Sequence, residues 1–122
     1  MPVETIGGIL MFNESILKTI RQMIGPDEIY KHYDPEIIIH INSALADVTR
    51  FGIGPEEGLS ISDESATWGQ LIQDNKKLNN VVTYIYLSVK LVFDPPNNAA
   101  LLASLQARHD KLEWCLEVAS EE

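Results

Sequence analysis

The sequence predicts an all-α fold, a small bundle of four main helices plus one short helix, with a long loop over residues 52–66. Three observations predict it. Leu78 to Pro96 reads as one apolar helix with a hard stop. Three other stretches carry apolar residues at spacings of three and four, the period of a helix face. Gly25-Pro26, Phe51-Gly52 and Asp94-Pro95-Pro96 punctuate the chain where these patterns end.

The stretch from Leu78 organises the rest. Val82, Ile85, Val89 and Val92 share a face, and Val81, Tyr84, Leu87 and Leu91 widen it until little of the middle is polar. A helix that apolar is buried by its neighbours rather than laid on a surface. Its β-branched residues would also suit a strand, but fifteen residues without a turn signal exceed the usual strand length. Asp94, Pro95 and Pro96 end it, because proline disfavours helix in the residue before it and has no N–H.

The other elements follow in order. Residues 1–12 are either a loose leader or an apolar arm that docks on a neighbouring subunit, and residues 13–120 form the helical domain. Asn13 is placed to cap a first helix with the stripe Ile16, Leu17, Ile20, Met23 and Ile24. Asp27–Tyr33 reads as a polar connector with aromatic content. Asp34 is placed to cap a second helix, with Pro35 at its first position and Glu36 at the positive end of its dipole. Ile38, Ile41, Leu45 and Val48 line one face, with Ile37, Ala44 and Phe51 beside it.

Residues 52–66 carry three glycines, a proline and four acids and support no amphipathic pattern. Such a loop is expected to be mobile in a free subunit and to order against a partner. Within it Leu59, Ser60, Ile61 and Ser62 alternate as a short edge strand would. Ser65 or Thr67 caps a short helix holding Trp68, Leu71 and Ile72. Asn97 or Asn98 caps the last helix, whose seam runs through Leu102, Leu105, His109, Leu112, Leu116 and Ala119, a pattern that packs along another helix. The tail Ser120-Glu121-Glu122 frays.

Composition bounds the function. The chain has 122 residues, enough to bury a real core, and its 45% hydrophobic and 22% charged content suits a globular protein. No apolar run is long enough to span a bilayer, and the start lacks the basic region and cleavage site of a signal peptide. A single cysteine, Cys115, precludes an internal disulfide and suits a reducing compartment. A net charge of −9 disfavours tight nucleic-acid binding through a basic patch.

No catalytic, cofactor or metal site emerges. His32, Asp34, Glu36 and His40 are close in sequence, but Asp34 and Glu36 suit a helix start and no His-Glu-x-x-His pattern is present. His109, in an apolar seam, reads as a partly buried, hydrogen-bonded histidine. Cys115 reads as a packed side chain without an identifiable histidine partner. Ser60, Ser62 and Ser65 lack a nucleophile-elbow pattern, and Gly52-Ile53-Gly54 follows a helix where a phosphate loop would follow a strand. Trp68 and Trp114 either complete a small core or anchor an interface. Leu101, Trp114 and Val118 project off the last helix's seam, and apolar groups outside a small core suggest a partner surface, with Glu113, Glu117, Glu121 and Glu122 as its rim. Folding of Trp114 back onto the central helix is the alternative. With Trp68, Leu59 and Ile61, these residues make up the candidate interface.

Four segments together resemble a known family: HINSALADVTRFGIGPEEG (His40–Gly58), Thr67-Trp68, VVTYIYLSVKLVFDPP (Val81–Pro96) and LEWCLEV (Leu112–Val118). The chain resembles the small head–tail connector proteins of long-tailed double-stranded DNA bacteriophages and prophages, also called head-completion, adaptor or DNA-packaging proteins. The likeness covers roughly residues 14–120 and leaves residues 1–12 outside. It implies a helical structural protein without catalytic residues. It also implies a ring of about a dozen copies under the portal protein, at the vertex through which DNA is packaged. Such a ring extends the DNA channel without specific DNA binding and docks a tail or stopper protein. The implied location is the head–tail junction of the virion, with the bacterial host cytoplasm during assembly. The competing reading is a small helical cytoplasmic enzyme or ligand-binding protein, for which the sequence offers no polar pocket cluster.

Overall fold

The computed structural model describes residues 12–119. The apolar arm or leader expected over residues 1–12 therefore lies outside the described residues except for Phe12, as does the tail Ser120-Glu121-Glu122. The described chain is all-α: four helices of nine residues or more, with short helical turns between them and no strand.

Helix α1 spans Ile16–Ile24. Ser15, not Asn13, caps it: its hydroxyl accepts the Lys18 N–H at 3.1 Å. Ile16, Leu17 and Ile20 are buried as the stripe predicts, whereas Met23 is exposed. Gly25 closes the helix in a space where a Cβ would run into the Tyr30 ring. The expected connector is a helical turn, α2 (Asp27–Tyr30), followed by the 3-10 turn Lys31–Tyr33. Its aromatic content is used: the Tyr30 and Tyr33 rings meet Phe93 edge-on, at centroid distances of 6.4 and 5.6 Å.

Helix α3 spans Asp34–Arg50. Asp34 is its first residue rather than its cap, because the side chain is drawn to Arg21 instead of the free N–H groups of the first turn. The buried face is rotated by one position toward Ile37, which is fully buried, while Ile38 is half-buried. Phe51 and Gly52 end the helix as expected, Gly52 having φ +84°, a left-handed conformation that costs glycine nothing.

The 52–66 loop contains no strand; the extended contact is an isolated bridge between Ser15 and Thr67. Ile53 and Ile61 are buried in the core. Asn42 on α3 clamps the Ile61 backbone on both sides, accepting its N–H at 2.8 Å and donating to its carbonyl at 3.0 Å. The Ile16 N–H bonds the Ala66 carbonyl at 3.0 Å. Against the expectation of a loop ordered only by a partner, its second half is already tied to the subunit.

Helix α4 (Trp68–Leu71) follows Thr67, whose N–H is accepted by the Gln70 side chain at 3.1 Å, half of a capping box. Helix α5 (Asn75–Phe93) begins three residues before Leu78 and packs against α1, α3 and the last helix, α6 (Ala99–Ala119). Leu78, Val81, Val82, Tyr84, Ile85, Leu87 and Val89 are buried. Val92, predicted on the same face, is 63% exposed, while Phe93 beside it packs against Tyr30 and Tyr33. Asn98 caps α6, accepting the Leu101 N–H at 2.9 Å. The predicted seam of α6 is buried progressively: Leu102 is exposed, Leu105, His109 and Leu112 are half-buried, and Leu116 is in the core.

Ile85 is fully buried on the central helix. Ile85→Asp is expected to unfold the protein, because an unpaired buried charge costs several kcal/mol, on the order of the whole stability. A soluble Ile85→Asp protein with a cooperative melting transition would contradict the placement of α5.

Candidate assembly surface

Three groups of side chains bear on function: a buried arginine, a polar network beneath α6, and the outer face of α6. Arg21 is only 1% exposed and meets three carboxylates. Its Nε donates to Asp27 at 3.0 Å, one terminal nitrogen to both oxygens of Asp34 at 3.1 Å, and the other to Glu64 at 2.8 Å. These bonds join α1, α2, the start of α3 and the loop. Burial works against the guanidinium charge, but the hydrogen bonds from Asp27, Glu64 and Asp34 outweigh it and push its pKa up. The same contact, followed by a bond from Gln22, holds the Asp27 carboxyl below its usual range.

Beneath α6, the Tyr84 hydroxyl donates to Asp47 at 3.1 Å, and burial together with the nearby carboxylates of Asp47 and Glu113 pushes its pKa up. Arg50 bonds Asp47 at 3.2 Å and approaches Glu117 at 3.7 Å and Glu113 at 4.0 Å, tying α3 to α6. The His109 ring stacks on Tyr84 at 4.8 Å, and its Nε2 lies 3.0 Å from the Ser88 hydroxyl. His109 is thus the packed, hydrogen-bonded histidine that the seam predicts, with a partner, Ser88, that the sequence did not single out.

Ser88, His109 and Asp110 have the connectivity of a catalytic triad, since His109 Nδ1 lies 3.4 Å from Asp110. Ser88 is mid-helix, and its hydroxyl bonds both the Tyr84 carbonyl of its own helix at 2.9 Å and His109 Nε2 at 3.0 Å, so the contact packs α5 against α6. The neighbouring N–H groups belong to the α5 ladder and are not free to hold an oxyanion.

The metal-type cluster weighed from sequence is not assembled: Asp34 is committed to Arg21, and His32 and His40 instead sit among aromatic rings. Among the described residues, His109, Asp110 and Glu113 bring ligand atoms within 4.8 Å of one another. Arg50 beside Glu113 already supplies positive charge there. Cys115 is half-buried. No helix of the described residues is long and apolar enough to cross a membrane.

The candidate interface residues divide. Trp68 is fully buried, and its indole N–H donates to Thr19 at 3.1 Å; it completes the core rather than facing a partner. Ile61 is likewise in the core, and Leu59 is half-buried against it. Leu101, near the start of α6, and Trp114 and Val118, near its end, are 50%, 63% and 36% exposed. Trp114 does not fold back onto α5. Ile29 and Ile39 are also exposed and were not singled out from the sequence, and Val92, expected on the buried face of α5, is exposed too.

Arg21→Met removes the cation and leaves three carboxylates facing one another. The expected loss is about 1–3 kcal/mol, less than for a wholly buried pair because the acids keep part of their solvent. Amide exchange across Ile61–Ser65 should rise; unchanged exchange there would contradict the pinning role. The Asp27 contact also predicts an acid dependence. Its folded-state pKa lies below the ordinary value, so on acidification the unfolded chain takes up this proton first. The contribution is complete above about pH 4 and fades as pH falls below it. Arg21→Met should flatten the acid limb of the stability profile, measured by urea melts between pH 2 and 6.

No curated protein and no solved structure matches this chain. A family model described as phage connector protein matches residues 16–122, which takes in every helix from α1 to α6. The match takes in most of the chain, and the chain belongs to the phage connector protein family.

Proposed function

We propose that this protein is a structural subunit of the head–tail junction, assembling as a ring beneath the portal protein, extending the DNA channel, and docking a tail or stopper protein. The observation that carries the reading is the family match over residues 16–122. Three physical features support it. Ser88 and His109, which come closest to an active site, join α5 to α6. The net charge of −9 suits a channel that must let DNA pass without gripping it. The outer face of α6 presents Trp114, Leu101 and Val118 to solvent, the residue types that anchor interfaces. As a virion component, the subunit assembles in the host cytoplasm.

The docking role of α6 is tested with Trp114→Ala and Leu101→Lys. Both side chains are at least half exposed, so stability should change by no more than about 0.5 kcal/mol. Sedimentation with purified portal rings should show binding weakened roughly tenfold or more, the scale of losing an interface anchor. Unchanged binding by both folded variants would remove α6 from the contact. Failure of the wild-type protein to bind portal rings would overturn the connector reading itself.

A further inference from the structure

The charges of α6 are sorted by flank. Leu101, Ser104, Arg108, Lys111, Cys115 and Val118 recur at alternating spacings of three and four and so share one flank, which carries two cations and no acid. Gln106, Asp110, Glu113 and Glu117 follow the same spacing along the other flank, which carries three acids and no base of its own. The core-facing seam lies between these flanks on the inside, and Trp114 lies between them on the outside. Arg108 and Lys111 are exposed and, among the described residues, have no ion-pair partner. In a chain with 9 bases and 18 acids, two unpaired cations on one helical flank are not explained by folding of the subunit. On the acidic flank Arg50, which is shared with Asp47, stands 3.7 Å from Glu117 and 4.0 Å from Glu113, and Asp110 is exposed.

We infer that α6 is the contact between copies of this chain, the Arg108–Lys111 flank of one copy lying against the Asp110–Glu113–Glu117 flank of the next. The two flanks differ and point to opposite sides, so the contact is head-to-tail, the kind that closes a ring when its rotation closes and runs on as a filament when it does not. A two-fold pairing of either flank with itself would set like charges together. Ala100 and Ala107 line the outside of the cationic flank and allow close helix approach, while Leu101 and Val118 give it apolar ends. Two acidic subunits repel each other over most of their surface, and this flank is where a neighbour's negative field is attractive. The pairs are solvent-exposed, so each contact is weak and falls with ionic strength. The inference rests on the ring reading above and names its subunit contact.

Charge exchange tests it. Arg108→Glu/Lys111→Glu makes both flanks acidic, and Asp110→Lys/Glu117→Lys makes the acidic flank basic. Sedimentation velocity at low salt should show concentration-dependent species larger than a monomer for the wild type. Each double variant alone, checked for folding by circular dichroism, should lose this association by roughly tenfold or more. An equimolar mixture of the two should recover it, because every junction then joins opposite charges. Carbodiimide coupling of mixed light and 15N-labelled wild type should join Lys111 of one chain to Asp110, Glu113 or Glu117 of another. Association unchanged in both double variants, a mixture that fails to recover it, or no interchain coupling at Lys111 at millimolar concentration would each overturn the α6 contact. Portal rings decorated normally by the double variants would also overturn it while leaving the ring reading intact; wild-type protein that fails to decorate portals would fail that reading instead.

Discussion

The arrangement depends on the need to cover α5. Nineteen residues of helix with apolar side chains on most of their circumference cannot sit on a surface, so α1, α3 and α6 are gathered around them. Burying a large aliphatic side chain is worth about 1.5–3 kcal/mol, and α5 buries six aliphatic side chains and Tyr84. Where the covering helices fall short, apolar groups are left in water: Val92 at the end of α5, and Leu101 and Leu102 at the start of α6. The hairpin of α5 and α6 is therefore well packed at its Leu116 end and exposed at its Asp94-Pro95-Pro96 end.

Arg21 has a different role from the apolar core. A buried guanidinium loses hydration, and replacing a whole buried ion cluster, cation and acids together, by apolar groups is often neutral or stabilising, so its value is not in net stability alone. Its three carboxylates come from α2, α3 and a loop residue 43 positions away, and each approaches a different donor of the rigid fork. That geometry specifies where the loop closes. With the Asn42 clamp on Ile61, it turns a stretch rich in glycine and acid into part of the body.

Much of this was legible because it is local. The periodicity of α5, the Asp94-Pro95-Pro96 stop, the Gly52 exit and the Asn98 cap each follow from residues within a turn of one another. What was misread depends on distant partners. Asp34 has every local mark of a cap, and only Arg21, thirteen residues earlier, shows why its carboxylate turns away. Trp68 could belong to a core or an interface until Thr19 is found beneath its indole N–H. Periodicity placed Val92 with Val89 and could not show that no neighbour reaches it. The Ser88–His109 contact joins two helices, and neither residue's surroundings in sequence signal the other.

Charge and packing make complementary demands on the last helix. Its inner seam must be apolar to cover α5, which leaves the charges to the outer surface. The outer surface is divided, with acids toward Arg50 and α3, cations on the far flank, and a tryptophan between. Arg50 draws Glu113 and Glu117 to its side and so ties α6 to α3. Among the described residues no carboxylate pairs with Arg108 or Lys111. The sorting that completes the fold on one flank thus leaves two exposed cations on the other, and it is these that the proposed contact between copies would match with a neighbour's acids.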